Sequence, residues 1–114
     1  MEIRERKVDN FVIVSLQGRF DAHIAFQVEE YLLPLLRHAQ DLILNFAATE
    51  YISSAGLRVL LSLAREAEQN GYDLRLAELR PEVYEVFDIA GFTSLFQIYP
   101  TEADALAGTN PLSS

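Results

Sequence analysis

Residues 51–71 constrain this chain most strongly, because two serines there precede an amphipathic helix that ends at a glycine. Ser53 and Ser54 stand where a helix N-cap is expected, since a side-chain oxygen at that position accepts from the unpaired amides of the first turn. Asn70-Gly71 is a typical left-handed stop. The apolar residues predicted to be buried, at the i, i+3, i+4, i+7 spacing, are Leu57, Leu60, Leu61 and Ala64. The residues predicted on the opposite face are Arg58, Ser62, Arg65, Glu66 and Gln69.

Gly56 does not suit the first turn of this helix, because glycine inside a helix costs about 1 kcal/mol relative to alanine. A glycine is favoured there if another backbone, or another protein, approaches closely. We therefore expect Gly56→Ala to leave the fold intact or slightly firmer while weakening contact with a partner protein.

Strand and helix signals alternate along the rest of the chain. A charged edge strand and an apolar strand closed by Gly18 are predicted to pair as a hairpin. The segment 42–46 is short and almost wholly apolar, which indicates a central strand covered on both faces. The predicted strands are 2–8, 11–17, 42–46, 73–79 and 96–99. The pattern predicts an α/β fold, a single domain with a four- to five-stranded mixed, largely parallel sheet and helices packed against it.

Three further helices have recognisable start signals. Asp21 is a predicted N-cap, Pro81 stands in a first helical turn, and Thr101 with Asp104 resembles a capping box. The apolar residues of the first helix are Phe26, Val28, Tyr31, Leu32 and Leu35. Pro34 lies within that pattern, and because it removes a backbone donor we expect a kink or a break there.

Composition excludes several classes of function. The chain has 114 residues, a net charge of −8 and no cysteine, so disulfides and zinc–thiolate sites are ruled out. An acidic surface repels phosphate backbones, and we expect no nucleic-acid partner. No apolar run approaches the length of a membrane span, and residues 1–9 have no apolar stretch typical of a signal peptide, which favours a cytoplasmic protein without a membrane partner. We expect a domain over 1–106 and a flexible tail over 107–114.

Catalytic and metal sites have little support. Ser54 lacks the glycine that a hydrolase nucleophile elbow requires two positions earlier, where Ile52 stands. His23 and His38 have no evident partner for base catalysis, and His23 with Asp21 does not make a metal site. No glycine-rich phosphate loop with a lysine is present. We predict no catalytic residue, no metal and no cofactor.

Several segments together resemble the STAS domain of bacterial anti-sigma factor antagonists. The resembling segments, in order, are Gly18-Arg-Phe-Asp21, Leu42-Ile-Leu-Asn-Phe46, the serine segment from Tyr51 to Leu61, and 86–99. The resemblance covers nearly the whole chain. It implies a protein that is not an enzyme, that binds an anti-sigma serine kinase with a histidine-kinase-like ATPase fold, and that frees a sigma factor.

The family's motif reads Asp-Ser-(Ser/Thr)-Gly-Leu, and its serine is phosphorylated by the kinase. By this resemblance Ser54 is the phosphorylation site and Gly56 is the motif glycine, while Ser53 replaces the aspartate and Ala55 the second hydroxyl residue. Asp21 matches an acidic residue in a flanking loop. The implied partner-binding residues are Asp21, Ser53, Ala55, Gly56 and Arg58. A PP2C-type phosphatase is the implied enzyme that reverses the modification.

A phosphate at a helix N-terminus meets free amides and the positive end of the dipole, so the fold can accommodate it. It adds about −1.5 to −2 charges, which a protein interface can detect. We expect the unphosphorylated chain to bind the kinase and the phosphorylated chain to release it. Two alternatives stay open: a constitutive STAS interaction module in a larger assembly, with Ser54 only a cap, and a small enzyme that uses Ser54.

Overall fold

The computed structural model describes residues 1–38 and 40–112. The strands are β1 (Glu2–Val8), β2 (Phe11–Phe20), β3 (Asp41–Asn45), β4 (Thr49–Ile52), β5 (Leu74–Ala77) and β6 (Gln97–Tyr99). The helices are α1 (Ala22–Arg37), α2 (Ser54–Asn70), α3 (Pro81–Ile89) and α4 (Glu102–Ala107), with a 3₁₀ turn at Thr93–Leu95. The predicted alternation of strands and helices is confirmed.

The sheet is mixed, with the order β1-β2-β3-β5-β6. β1 and β2 form the predicted antiparallel hairpin, and the β2–β3, β3–β5 and β5–β6 pairs are parallel. The short strand β4 was not predicted and pairs with the end of β2. The sequence predicted that Gly18 closes β2, but the strand continues through Gly18 to Phe20. Gly18 lies at an irregularity, with φ at 109°, where β2 changes its parallel partner from β3 to β4.

Apolar side chains fill both faces of the sheet. Leu42 and Leu44 of β3 join the larger core beneath α1, α2 and α3, whereas Ile43 joins a smaller core beneath α4. All three are fully buried. Successive side chains of a strand point to opposite faces, so β3 is covered on both faces. The predicted central strand covered on both faces is confirmed.

Helix α1 continues through Pro34 to Arg37, so the break expected there does not occur. Pro34 lies in the last turn, where the missing donor costs a single hydrogen bond, and the Pro34 carbonyl still accepts from the amide of His38 at 3.0 Å. Buried Leu32 and Leu36 fix the turns on either side of it to the core. Packing therefore outweighs the local penalty of the proline.

The buried faces of α1 and α2 differ from those expected. On α1 the exposed residues include Phe26 and Tyr31, while the buried stripe is Ala25, Val28, Leu32 and Leu36. On α2, Leu61 and Ala64 are only half-buried. The buried residues of α2 are Gly56, Leu57, Val59, Leu60, Leu63 and Ala67. On the predicted polar face of α2, Arg58, Arg65 and Gln69 are exposed, whereas Ser62 and Glu66 are half-buried.

The predicted stop of α2 and the predicted N-cap of α4 are confirmed. Gly71 stops α2 in the left-handed conformation, with φ at 75°, and the Thr101 hydroxyl accepts from the amide of Asp104 at 3.0 Å. Beyond α4, the amide of Leu112 donates to the carbonyl of Ile98 at 2.7 Å. Residues 113 and 114 of the predicted tail lie outside the described residues, and its flexibility stays a prediction. None of the helices in the described part of the chain is long and apolar enough to cross a membrane.

Candidate functional site

The β2–β4 pair brings the first turns of two helices together. Phe20 at the end of β2 is the register partner of Ile52 at the end of β4, and the amide of Ser53 donates to the carbonyl of Phe20 at 3.0 Å. The next residues, Asp21 and Ser53, are the N-caps of α1 and α2. The positive ends of the two helix dipoles therefore lie side by side.

The two serines at the start of α2 have different surroundings. Ser53 is half-buried, and its Oγ accepts from the amide of Gly56 at 3.2 Å, which confirms that it supports the turn. Ser54 is the first residue of the helix and is exposed. Within residues 1–38 and 40–112 its hydroxyl makes no hydrogen bond. Capping thus occupies one hydroxyl and leaves the other accessible.

Gly56 is buried, and the close approach that requires a glycine is within this chain. A Cβ built on Gly56 would lie 2.8 Å from the Phe20 carbonyl oxygen and 2.9 Å from Cγ1 of Ile52. Real Cβ atoms do not approach backbone oxygens so closely, and the strand end cannot move without disturbing the β2–β4 pair. This geometry contradicts the expectation that Gly56→Ala leaves the fold as firm or firmer, and it predicts a loss of stability instead.

Asp21 confirms its predicted role as a cap, since its Oδ1 accepts from the amide of His23 at 3.1 Å. Its other oxygen lies 3.9 Å from Nε of Arg19, in a partly exposed ion pair. The Arg19 guanidinium also stacks over the ring of Tyr51, 4.2 Å from its centroid. Arg19 and Tyr51 are register partners on β2 and β4, so this contact ties the two strand ends on which both helices begin.

Comparison with known proteins identifies this arrangement. The STAS domain profile matches residues 2–105. The chain belongs to the STAS domain family. BtrV of Bordetella bronchiseptica, named as a candidate anti-sigma factor antagonist, is 37% identical over 108 residues, covering 94% of this chain and 93% of BtrV. The anti-sigma-B factor antagonist of Bacillus subtilis is 28% identical over 90 residues, covering 79% and 83%.

Solved structures agree on the STAS fold. A structure from Thermotoga maritima, described as a candidate anti-sigma factor antagonist, has a TM-score of 0.88 at 18% identity, covering 93% of this chain and 92% of that one. The Bacillus cell fate determinant SpoIIAA in its phosphorylated form has a TM-score of 0.71 at 21% identity, covering 96% and 100%. At these identities the likeness concerns the fold.

The STAS fold gathers all the predicted site residues at one end of α1 and α2. Asp21, Ser53 and Ser54 begin the helices, and Ala55 and Arg58 line a groove between α1 and α2. Gly56 belongs to the same turn but packs inward. Among the described residues no group of three or more His, Asp or Glu side chains is placed to hold a metal ion.

Sequence reasoning missed two features of this STAS site. Phe26 lines the same groove as Arg58 and is 66% exposed, although its apolar character suggested a buried position. The stacked pair of Arg19 and Tyr51 depends on β4, which was not predicted. Along Thr49–Ile52 the burial runs buried, exposed, exposed, buried, which departs from the period-two alternation that marks a strand in a sequence.

Proposed function

We propose that this STAS domain is an anti-sigma factor antagonist whose binding is switched by phosphorylation of Ser54. The unphosphorylated chain binds an anti-sigma serine kinase and thereby frees a sigma factor. The exposed hydroxyl of Ser54, beside the capping hydroxyl of Ser53, is the observation that carries the proposal. The names of the relatives support an anti-sigma factor as the binding partner, since BtrV and the Bacillus subtilis protein are both named as anti-sigma factor antagonists.

The chain serves in this scheme as a substrate, without catalytic groups of its own. The γ-phosphoryl group of ATP passes to Oγ of Ser54, the bond to ADP breaks, and the hydroxyl proton leaves. The phosphate then stands at the first turn of α2, where the amides of Ser54 and Ala55 donate to no acceptor within residues 1–38 and 40–112. Free amides and the helix dipole stabilise it without unfolding the turn.

The phosphate adds about −1.5 to −2 charges at the exposed start of α2, where the partner binds. Binding is therefore weakened at the interface, and the fold stays unchanged. Hydrolysis by a PP2C-type phosphatase restores the binding form. We place this cycle in the cytoplasm, where sigma factors act. It requires no cofactor bound to the chain, because the kinase brings the ATP.

The experiment is phosphopeptide mapping after incubation with the cognate kinase and ATP, together with calorimetry of kinase binding. We expect phosphate on Ser54 alone. Ser54→Ala abolishes labelling but still binds the kinase, Ser54→Asp binds more weakly, and Ser53→Ala still accepts phosphate at Ser54. Phosphate on Ser53, or on neither serine with an active kinase, contradicts the proposed switch. Equal affinities of the phosphorylated and unphosphorylated chains for the kinase would instead indicate the constitutive interaction module.

A further inference from the structure

A groove of about 350 Å³ separates the first halves of α1 and α2. Phe26 and Glu29 line it from α1, and Ala55, Arg58 and Val59 line it from α2. Ala55, the residue that follows Ser54, lines the groove, and both helices begin at the paired ends of β2 and β4. Toward their C-terminal ends the helices are bridged by the ion pair of Arg37 with Glu66.

Phe26 gives the groove an apolar wall. It is 66% exposed, whereas its neighbours Ala25 and Val28 are buried in the core. A single exposed apolar side chain on a protein surface is common. Phe26, however, stands beside half-buried Ala55 and buried Val59 at the edge of a concavity. An apolar side chain entering from outside would find apolar atoms on both helices.

The exposed face of α2 beside the groove is basic, on a chain whose net charge is −8. On this face Arg58 and Arg65 stand at helical spacing with uncharged Ser54, Ser62 and Gln69. Glu66, on the same side of the helix, is half-buried and pairs with Arg37. Within residues 1–38 and 40–112, neither Arg58 nor Arg65 forms an ion pair, in contrast to Arg37 at the far end. Glu29 lines the opposite wall without pairing with Arg58. The basic stripe therefore complements a partner that carries carboxylates.

We propose that this groove is the docking site for an acidic, apolar segment of the anti-sigma factor, an inference that rests on the proposed function. One apolar side chain of the segment packs between Phe26 and Val59, and a neighbouring carboxylate pairs with Arg58. Aromatic and arginine side chains dominate the energy of many protein interfaces, and a guanidinium binds a carboxylate through two parallel hydrogen bonds. Arg58 is then a specificity-determining residue.

This docking site explains how phosphorylation would be read. Ser54 lies one turn before Arg58, at the i, i+4 spacing that brings helix side chains together. A phosphate on Ser54 offers strong acceptors to the guanidinium and withdraws it from the partner's carboxylate. The same phosphate repels the acidic segment at the mouth of the groove. The fold itself need not change.

The test measures binding to the purified anti-sigma serine kinase by calorimetry, with the full chain and two variants. Phe26→Ala removes the apolar wall, and Arg58→Gln removes the charge. We expect each to weaken binding at least about tenfold. Added salt should weaken the wild type more than Arg58→Gln, because only the wild type retains the charged pair.

The matched controls are Ile89→Ala, which removes an apolar side chain that is 79% exposed on α3, and Lys7→Gln, which removes an exposed charge on β1. Both should bind like the wild type. If the wild type binds but Phe26→Ala and Arg58→Gln bind equally well, or if the controls weaken binding as much, the groove is not the docking site. If the wild type itself does not bind the kinase, the proposed function fails as well. Melting curves show whether each variant is folded. If Phe26→Ala is unfolded, Phe26→Leu takes its place, and Arg58→Gln is kept.

Discussion

The two faces of the sheet are covered in different ways. On one face α4 is short and is held by polar contacts: Glu102 pairs with Arg6 and accepts from Nδ2 of Asn45 at 3.0 Å, and its amide donates to Oε2 of Glu78 at 2.7 Å. On the other face α1 and α2 are long, rest on the larger apolar core, and leave Arg58 without an ion pair in residues 1–38 and 40–112.

This difference indicates which polar groups are available for function. Around α4 the polar groups are committed to the fold, as Arg75 is: its Nη1 donates to the carbonyl of Ala105 at 2.6 Å and its guanidinium lies over the ring of Phe11. At the start of α2, burial of apolar residues supplies the stability. The exposed polar groups there can change partner without loss of the fold.

The strongest test of this contrast is Leu60→Ala on α2. Leu60 is fully buried in the larger core, so its truncation should lower the free energy of unfolding by about 2–5 kcal/mol. Arg58→Ala, two residues away and exposed, should cost less than about 0.5 kcal/mol. Denaturant unfolding of the two variants measures both values. Equal losses would contradict the separation of the buried and functional faces.

Gly56→Ala should be next in size, because its new methyl group meets the Phe20 carbonyl at 2.8 Å. Overpacking of this kind costs about 1–3 kcal/mol, which outweighs the roughly 1 kcal/mol that alanine gains in helix propensity. Gln69→Ala on the exposed face of α2 is the control, since it changes propensity without a clash. A higher melting temperature for Gly56→Ala would contradict the close approach of the Phe20 carbonyl to Gly56.

Gly56 also illustrates how far the sequence predicts this molecule. Local signals predicted the cap at Ser53, the stop at Gly71 and the buried strand β3, because each depends on a few neighbouring residues. That Gly56 needs close approach was predicted, but the approaching atom belongs to Phe20, thirty-six positions earlier. Contacts of that separation are set by how β2 and β4 pair, which local patterns do not specify.

The same limit applies to the helix faces. Apolar residues occupy more than one side of α1 and α2, so periodicity alone did not decide that Val59 and Leu63 are buried while Phe26 is exposed. At Pro34, packing against the core outweighs the local effect of the proline, and α1 stays helical to Arg37. Of the candidate site, sequence reasoning predicted the serines and Asp21. The groove required the three-dimensional pairing of the helices.

On the α4 face, Glu102→Ala should lower the free energy of unfolding by about 1.5 kcal/mol, since it removes contacts with Arg6 and Asn45 and leaves the Asn45 amide without its acceptor. Glu85→Ala, at an exposed position of α3, is the control and should have little effect. Kinase binding by Glu102→Ala should match the wild type. A loss of binding without a loss of stability would reverse the roles assigned to the two faces.

The two serines make a smaller comparison within one turn. Ser53→Ala removes the oxygen that accepts from the Gly56 amide and should cost about 1 kcal/mol. Ser54→Ala removes a hydroxyl that is exposed and should stay within about 0.5 kcal/mol of the wild type. Thermal melts of both variants decide between them. If Ser54→Ala were the more destabilised, Ser54 would be the structural serine and the proposed switch would lose its basis.

The smallest effect concerns Tyr31, whose hydroxyl donates to Oε2 of Glu5 at 2.7 Å and links α1 to the edge strand β1. The hydrogen bond to Glu5, followed by burial and by the negative charge of Glu5, raises the pKa of Tyr31 above its usual value of 10. A raised pKa in the folded chain means that the contact stabilises the fold below the unfolded pKa and is lost as the pH rises through the folded pKa.

Tyr31 is 40% exposed, so solvent screens the contact and Tyr31→Phe should cost less than about 0.5 kcal/mol at neutral pH. Denaturant unfolding of the wild type and Tyr31→Phe at pH 7 and in strongly alkaline buffer measures the difference, which should shrink at the higher pH. A difference that grows with pH would mean that Glu5 does not hold the protonated hydroxyl.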